Sequence, residues 1–175
     1  MKFTLSWLKE HLETKAKIDV ITDTLTNIGL EVENIEDKEN DYKDFTIAKV
    51  ISADKHPNAD RLKVCKVETS KGNVQVVCGA PNAKSGMFGV FAPSDTYIPG
   101  TNINLKKSEI RGVESNGMLL SERELGISDE HEGIVELEGK HKIGDSIASI
   151  YGFDDPVIEI NLTPNRSDCL SVRGI

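Results

Sequence analysis

His56-Pro57-Asn58-Ala59-Asp60-Arg61-Leu62-Lys63-Val64-Cys65-Lys66-Val67 reads as a tight turn that feeds a β-strand. Pro57 fixes its own φ, and Asn58 and Asp60 fold their side chains back onto nearby backbone, so Arg61 is delivered to the start of an extended run. Alternation then puts Arg61 and Lys63 on one face and Leu62 and Val64 on the other. Outward from this stretch the period of two persists. Phe45 to Ile51, Val74 to Cys78 and Met87 to Ala92 are short and rich in Val, Ile and Phe. Turn clusters at Ser70–Asn73 and Gly79–Asn82 separate them. Leu105 to Ile110, Met118 to Ser121 and Gly133 to Leu137 supply further strand material. Five or six short strands in roughly 110 residues, without long helices between them, predict a small barrel.

The flanks have a different period. Ser6 is the expected cap of a short helix with Trp7, Leu8, His11 and Leu12 on one side, and Asp19 of a second helix carrying Ile21, Leu25 and Ile28. Gly29 stands where a left-handed terminator belongs. Leu30, Val32 and Ile35 predict an extended exit, and the polar run from Glu36 to Asp41 a boundary. After the strands, Asp145 is the expected cap of a helix from Ser146 to Tyr151 ended by Gly152. Val157, Ile158, Ile160 and Leu162 then predict one more strand, and Thr163 to Asp168 a strand-to-helix turn. The chain stops at Gly174-Ile175 without a cap or polar tail, which suggests a piece of a longer protein.

The 175 residues hold one ordinary domain or two small ones, with 38% apolar and 29% charged residues. No stretch reaches the length of a membrane span, and the first residues lack the pattern of a secretory signal. Three widely spaced cysteines, Cys65, Cys78 and Cys169, argue against a disulfide framework and for the cytoplasm. The net charge of −8 opposes a nucleic-acid partner, yet its distribution does not. Eight basic residues face four acids between Lys43 and Lys84, while nine acids face Arg111 and Arg123 between Glu109 and Glu138. A chain divided in this way can present one basic face.

The central segment resembles the tRNA-binding OB domain of several synthetases and free-standing tRNA-binding proteins. The resemblance rests on the quoted stretch, on Val77-Cys78-Gly79-Ala80-Pro81-Asn82, and on Ile110 to Ser121 (Ile-Arg-Gly-Val-Glu-Ser-Asn-Gly-Met-Leu-Leu-Ser). The flanks resemble the beta subunit of bacterial phenylalanyl-tRNA synthetases: Leu5-Ser6-Trp7-Leu8, Ile28 to Glu33, Glu122 to Asp129, and Ile158 to Ser171. The fold so implied is α+β. A five-stranded OB-fold β-barrel over 40–151 is inserted into a small discontinuous α/β domain made of 1–39 and 152–175. The loop from Ala92 to Gly100 departs from the pattern, carrying Pro and Asp where relatives have small apolar residues.

The resemblance implies a tRNA-binding, non-catalytic part of a ligase that joins phenylalanine to its tRNA at the expense of ATP. It further implies an alpha subunit as partner in an α2β2 heterotetramer, with ATP and magnesium used by the complete enzyme and neither by this part. Neither DNA nor a membrane is an expected partner. The residues expected to serve tRNA are His56, Asn58, Asp60, Arg61, Lys63, Lys66, Ser115 and Asn116. Arg61, Lys63 and Lys66 would supply charge, the 56–60 turn would position them, and Ser115-Asn116-Gly117 would form a small polar loop open to phosphate or ribose. A second reading stays open, in which the module docks within the synthetase with little RNA contact. A free-standing dimeric tRNA-binding protein is a third, disfavoured by the helices before the barrel. No nucleophile–base signature and no cluster of metal ligands is present, His131-Glu132 being a single adjacent pair.

Overall fold

The computed structural model describes all residues from Met1 to Ile175. In chain order the elements are β1 (Lys2–Thr4), α1 (Leu5–Lys9), α2 (Ile18–Asn27), β2 (Val32–Glu36), α3 (Glu39–Tyr42), β3 (Thr46–His56), β4 (Ala59–Thr69) and β5 (Gly72–Cys78). There follow β6 (Phe88–Pro93), β7 (Tyr97–Ile98), β8 (Ile103–Asn104), β9 (Ser108–Ile110), β10 (Val113–Ser115), β11 (Gly117–Leu119), α4 (Glu122–Leu125), α5 (Ala148–Tyr151), β12 (Val157–Ile160) and a 3₁₀ turn, Ser167–Cys169. The chain is mostly β-sheet with few helices, and every strand pairing is antiparallel. No helix is long and apolar enough to cross a membrane.

Two compact units result, Met1–Asn40 with Tyr151–Ile175, and Asp41–Ile150. In the first, β12 lies between β1 and β2. Phe3, Leu8, Ile21, Leu25, Leu30, Ile158 and Ile160 form its core. Two helix starts differ from the sequence expectation. Thr4, not Ser6, caps α1 by accepting the Trp7 N–H, while Ser6 lies inside the helix and donates to Asp155. The cap position of α2 is Lys17, and Asp19 sits in the first turn, where its charge favours the helix dipole. Helix α1 ends at Lys9, so only Leu8 of the expected apolar side is buried, and Trp7 and Leu12 remain exposed. Gly29 does adopt φ +88° after α2.

The second unit is built on a five-stranded sheet ordered β11-β6-β3-β4-β5. Its strands outrun the expected ones because the β3–β4 ladder continues to the pair His56–Ala59, leaving only Pro57 and Asn58 as the loop. Val50, Cys65, Val67, Val76, Met87 and Phe91 fill the core beneath it. A closed barrel was expected, and no strand ladder joins the outer strands β11 and β5. Instead the 114–116 segment crosses to β5. The Asn116 N–H donates to the Gln75 carbonyl at 2.9 Å, Val77 N–H to Ser115 Oγ at 3.1 Å, and Gln75 Nε2 to the Glu114 carbonyl at 2.8 Å.

Gly117, the next residue, lets β11 lie close against β6. A Cβ there would meet the Phe91 ring at 2.4 Å and the Ala92 carbonyl at 2.7 Å, at φ +147°. The expected strand from Gly133 to Leu137 is absent. Val135 bonds Leu120, just past β11, and Leu137 bonds Phe88 of β6, so the segment makes isolated bonds and no ladder. Leu105–Ile110 likewise yields only the short β9, and the helix expected from Ser146 begins at Ala148.

Candidate nucleic-acid interface

The Pro57–Asn58 loop is held by side chains from its own sequence. His56 is 5% exposed, and both ring nitrogens are engaged. Nδ1 accepts the Asn58 N–H at 3.0 Å, and Nε2 faces the Ile110 carbonyl at 3.0 Å. A carbonyl only accepts, so the proton is on Nε2 and the imidazole is neutral in this arrangement. Asn58 Nδ2 donates to the Arg111 carbonyl at 3.0 Å.

These bonds dock the β3–β4 tip onto a second hairpin. There Arg111 and Gly112 form a two-residue loop with φ values of +51° and +86°, between the paired residues Ile110 and Val113. Two successive positive φ values are the mark of the mirror-image turn that matches strand twist. Arginine adopts that conformation at a cost of about 1–2 kcal/mol, and the bond from Asn58 helps to hold it there. The result is a platform of two hairpin tips with Lys55, Arg61 and Arg111 exposed around it. None of these three cations is in an ion pair.

The expected site residues divide among several surroundings. His56 and Asn58 are the braces of the platform, and Asp60 and Arg61 are exposed beside it. Lys63 is turned inward. Its Nζ donates to the Pro81 carbonyl at 2.8 Å and to the Ala83 carbonyl at 2.6 Å, tying the loop after β5 to β4. Lys66 is exposed on the opposite face, since Cys65 and Val67 on either side of it are buried.

Ser115 is 4% exposed, and its hydroxyl accepts from Val77 N–H and donates to the Gly117 carbonyl at 3.1 Å. It and Asn116 link the sheet's outer strands and do not form the open polar loop expected of them. Other cations of the basic segment are also engaged. Lys49 lies 5.7 Å from the centre of the Phe88 ring, and Lys84 pairs with Glu136 at 2.7 Å. The residue missed from sequence is Arg111. Its signal was available in Ile110-Arg111-Gly112-Val113, two apolar residues flanking a pair that ends in Gly.

Several acids of the 109–138 segment have local work. Glu124 and Ser121 form a reciprocal cap at the start of α4, with the Ser121 N–H donating to Glu124 at 2.6 Å. Glu122 accepts from the Ser128 hydroxyl at 2.7 Å. The ammonium of Lys107, together with the Asn116 side chain, holds the Glu114 carboxyl below its usual range. No group of His, Cys, Asp and Glu side chains is arranged to hold a metal ion.

Residues 45–146, more than half of the chain and the whole of the five-stranded sheet, match the family described as "Putative tRNA binding domain". The chain belongs to that family. Over its full length it is 60% identical to the phenylalanine–tRNA ligase beta subunit of Bradyrhizobium diazoefficiens and 55% identical to that of Brucella abortus. It spans 22% of the length of each of these relatives. Among solved structures, the MetRS-related protein from Pyrococcus horikoshii aligns at 20% identity and a TM-score of 0.42, covering 58% of this chain and 86% of that one.

Proposed function

We propose that this chain is the opening part of the beta subunit of a phenylalanine–tRNA ligase, and that its central module gives the enzyme an auxiliary contact to tRNA phosphates. The observation that carries the reading is the two-hairpin platform, lying wholly within the 45–146 family match with Lys55, Arg61 and Arg111 free of carboxylates. In this reading the module is an OB-type barrel, supported by the three hydrogen bonds from 114–116 to β5. It is inserted over 40–151 between the two halves, 1–39 and 152–175, of one discontinuous domain. The complete enzyme is a cytoplasmic α2β2 heterotetramer that uses ATP and magnesium, and this part carries no active site. His56 and Asn58 act by positioning the platform. Asp60 and Arg61 are solvent-facing beside the platform and face RNA, Lys66 offers a separate exposed charge on the opposite face, and Lys63, Ser115 and Asn116 support the platform from within.

Binding to phosphates releases counterions, so affinity for unmodified tRNA falls as salt rises between about 50 and 200 mM. The test is a fluorescence titration of tRNA at several salt concentrations with the wild type and with Arg61→Ala/Arg111→Ala. The double variant should bind more weakly, with a log–log salt slope shallower by about 0.7–0.9 for each phosphate it no longer neutralises. Equal affinity and slope would reject these residues. The engagement of Lys49, Lys63 and Lys84 inside the module favours a second reading, a docking module with little RNA contact. That reading predicts no binding to tRNA even at low salt.

A further inference from the structure

The two hairpin tips of the platform are joined through one titratable side chain. His56 ends β3 and is buried, and its ring is in no ion pair. Both of its hydrogen-bond partners are backbone groups, the Asn58 N–H at Nδ1 and the Ile110 carbonyl at Nε2. A backbone N–H only donates, so Nδ1 has to keep its lone pair. A carbonyl only accepts, so Nε2 has to keep its proton. One proton on the ring satisfies both partners, and a second does not.

We propose that His56 is a pH-sensitive latch for the platform: acid adds a proton at Nδ1, the bond from Asn58 is lost, the tips part, and the hold on tRNA weakens. This rests on the reading of the platform as the RNA contact. Once protonated, Nδ1 carries an N–H aimed at the N–H of Asn58, and two donors repel. Nε2 keeps its carbonyl, so the ring stays on the second hairpin while the loop of the first moves off. Asn58 is the residue displaced, and its Nδ2 bond to the Arg111 carbonyl goes with it. The contact in the other direction, from Arg111 Nη1 to the Asn58 carbonyl at 3.5 Å, is lost as well. Arg111 then holds its left-handed φ without either support.

The surrounding charges offer the protonated ring no partner. Asp54 and Lys55 precede it on β3, Asp60 and Arg61 follow the turn on β4, Glu109 and Arg111 flank Ile110, and all of them are exposed. None of these carboxylates bonds to the ring. Lys63, opposite Lys55, is turned to the carbonyls of Pro81 and Ala83. Phosphate attraction by itself has the opposite dependence on pH. The exposed His11 and His131 gain positive charge as pH falls, which favours RNA. A loss of affinity in acid therefore marks the latch. The neutral ring is the form that holds the tips, so binding is full at the alkaline end of the range in which histidines change charge and declines as pH falls through it.

The test follows the native chain between about pH 7.5 and about pH 5.5 at constant ionic strength. In fluorescence titrations with unmodified tRNA, affinity should fall by roughly fivefold at the acid end, the factor that one net hydrogen bond represents. His56→Asn puts an amide oxygen close to the position of Nδ1, keeps an acceptor for the Asn58 N–H, and takes up no proton in this range. Its affinity should stay level or rise as pH falls. Nuclear magnetic resonance of the wild type reads the latch without RNA and without a variant: the Asn58 and Gly112 amide signals should move in step with those of the His56 ring. If tRNA binds at no pH, the RNA reading falls, and these coupled shifts still decide the latch. A His56 ring that titrates without moving the two amides, or that does not titrate in this range, overturns it. So does wild-type affinity that holds or rises in acid, or a His56→Asn variant that loses affinity as the wild type does.

Discussion

Replacing Lys63 by Met separates a structural cation from an RNA-binding one. Met retains the length and apolar character of the lysine stem and removes the ammonium. Two charge-assisted hydrogen bonds disappear, to Pro81 and to Ala83. Pro81 is exposed, so its carbonyl regains water and that loss is small. Ala83 is 2% exposed, and its carbonyl is left poorly solvated. A bond of this charged kind contributes about 1.5–3 kcal/mol, which puts the expected destabilisation at about 2 kcal/mol. With a urea slope near 2 kcal/mol per molar, the midpoint of the sheet unit falls by about 1 M.

The assay is urea unfolding followed by far-ultraviolet circular dichroism, to which the long strands β3 to β5 contribute. The chain's one tryptophan, Trp7, lies in the other unit, so its fluorescence provides a separate internal reference. That second transition should move little. In tRNA titrations Lys63→Met should keep the wild-type salt slope, because its ammonium faces carbonyls. An unchanged urea midpoint combined with a shallower salt slope would refute the reasoning and return Lys63 to the binding face.

Arg111→Gly should raise the stability of the sheet unit by about 0.5–1 kcal/mol, because glycine adopts positive φ without the steric cost borne by arginine. The same change should weaken tRNA binding, so melting temperature and affinity should move in opposite directions. Gly117→Ala should destabilise the unit by about 3 kcal/mol or more, since the new methyl meets the Phe91 ring and the Ala92 carbonyl at a left-handed φ. A urea midpoint within error of the wild type would show that β11 packs against β6 more loosely than described.

The strands of the sheet unit were legible because Val, Ile and Phe alternate with polar residues. Their ends were not, because His56 and Asp60 look like turn residues. His56 ends β3 by pairing with Ala59, and its ring is held by the Ile110 carbonyl, 54 positions away in sequence. The same separation hid the role of Lys63, whose acceptors lie 18 and 20 residues downstream. Ser115 read as an exposed polar loop because small polar residues beside Gly commonly are. Its hydroxyl instead completes the Val77 N–H, a need visible only once β5 is opposite it. Helix caps failed for a local reason. Thr4 and Ser6 are both capping residues within one turn, and Leu5 bonding to the Pro156 carbonyl fixes where the helix begins.

The fate of each cation along β4 follows from one parity. Cys65, Val67 and Thr69 point into the core, so odd positions face inward and even positions outward. Lys66, being even, reaches solvent from the middle of the strand without any special arrangement. Lys63 is odd, and a mid-strand cation on that side would be buried without partners, a state that costs several kcal/mol. It is tolerable because the inner row near the strand's beginning opens onto the 79–83 loop, whose backbone supplies two acceptors. Arg61 lies beyond this alternation, in the 60–62 stretch where the β3–β4 register shifts between Lys63 and Ala59, clear of the loop that serves Lys63, and stays exposed. Position along the strand therefore separates two cations that alternation alone places together. This is why Arg61, with Arg111 from the second tip, is the residue whose removal should change the salt dependence of RNA binding, while removal of Lys63 should change the stability of the fold.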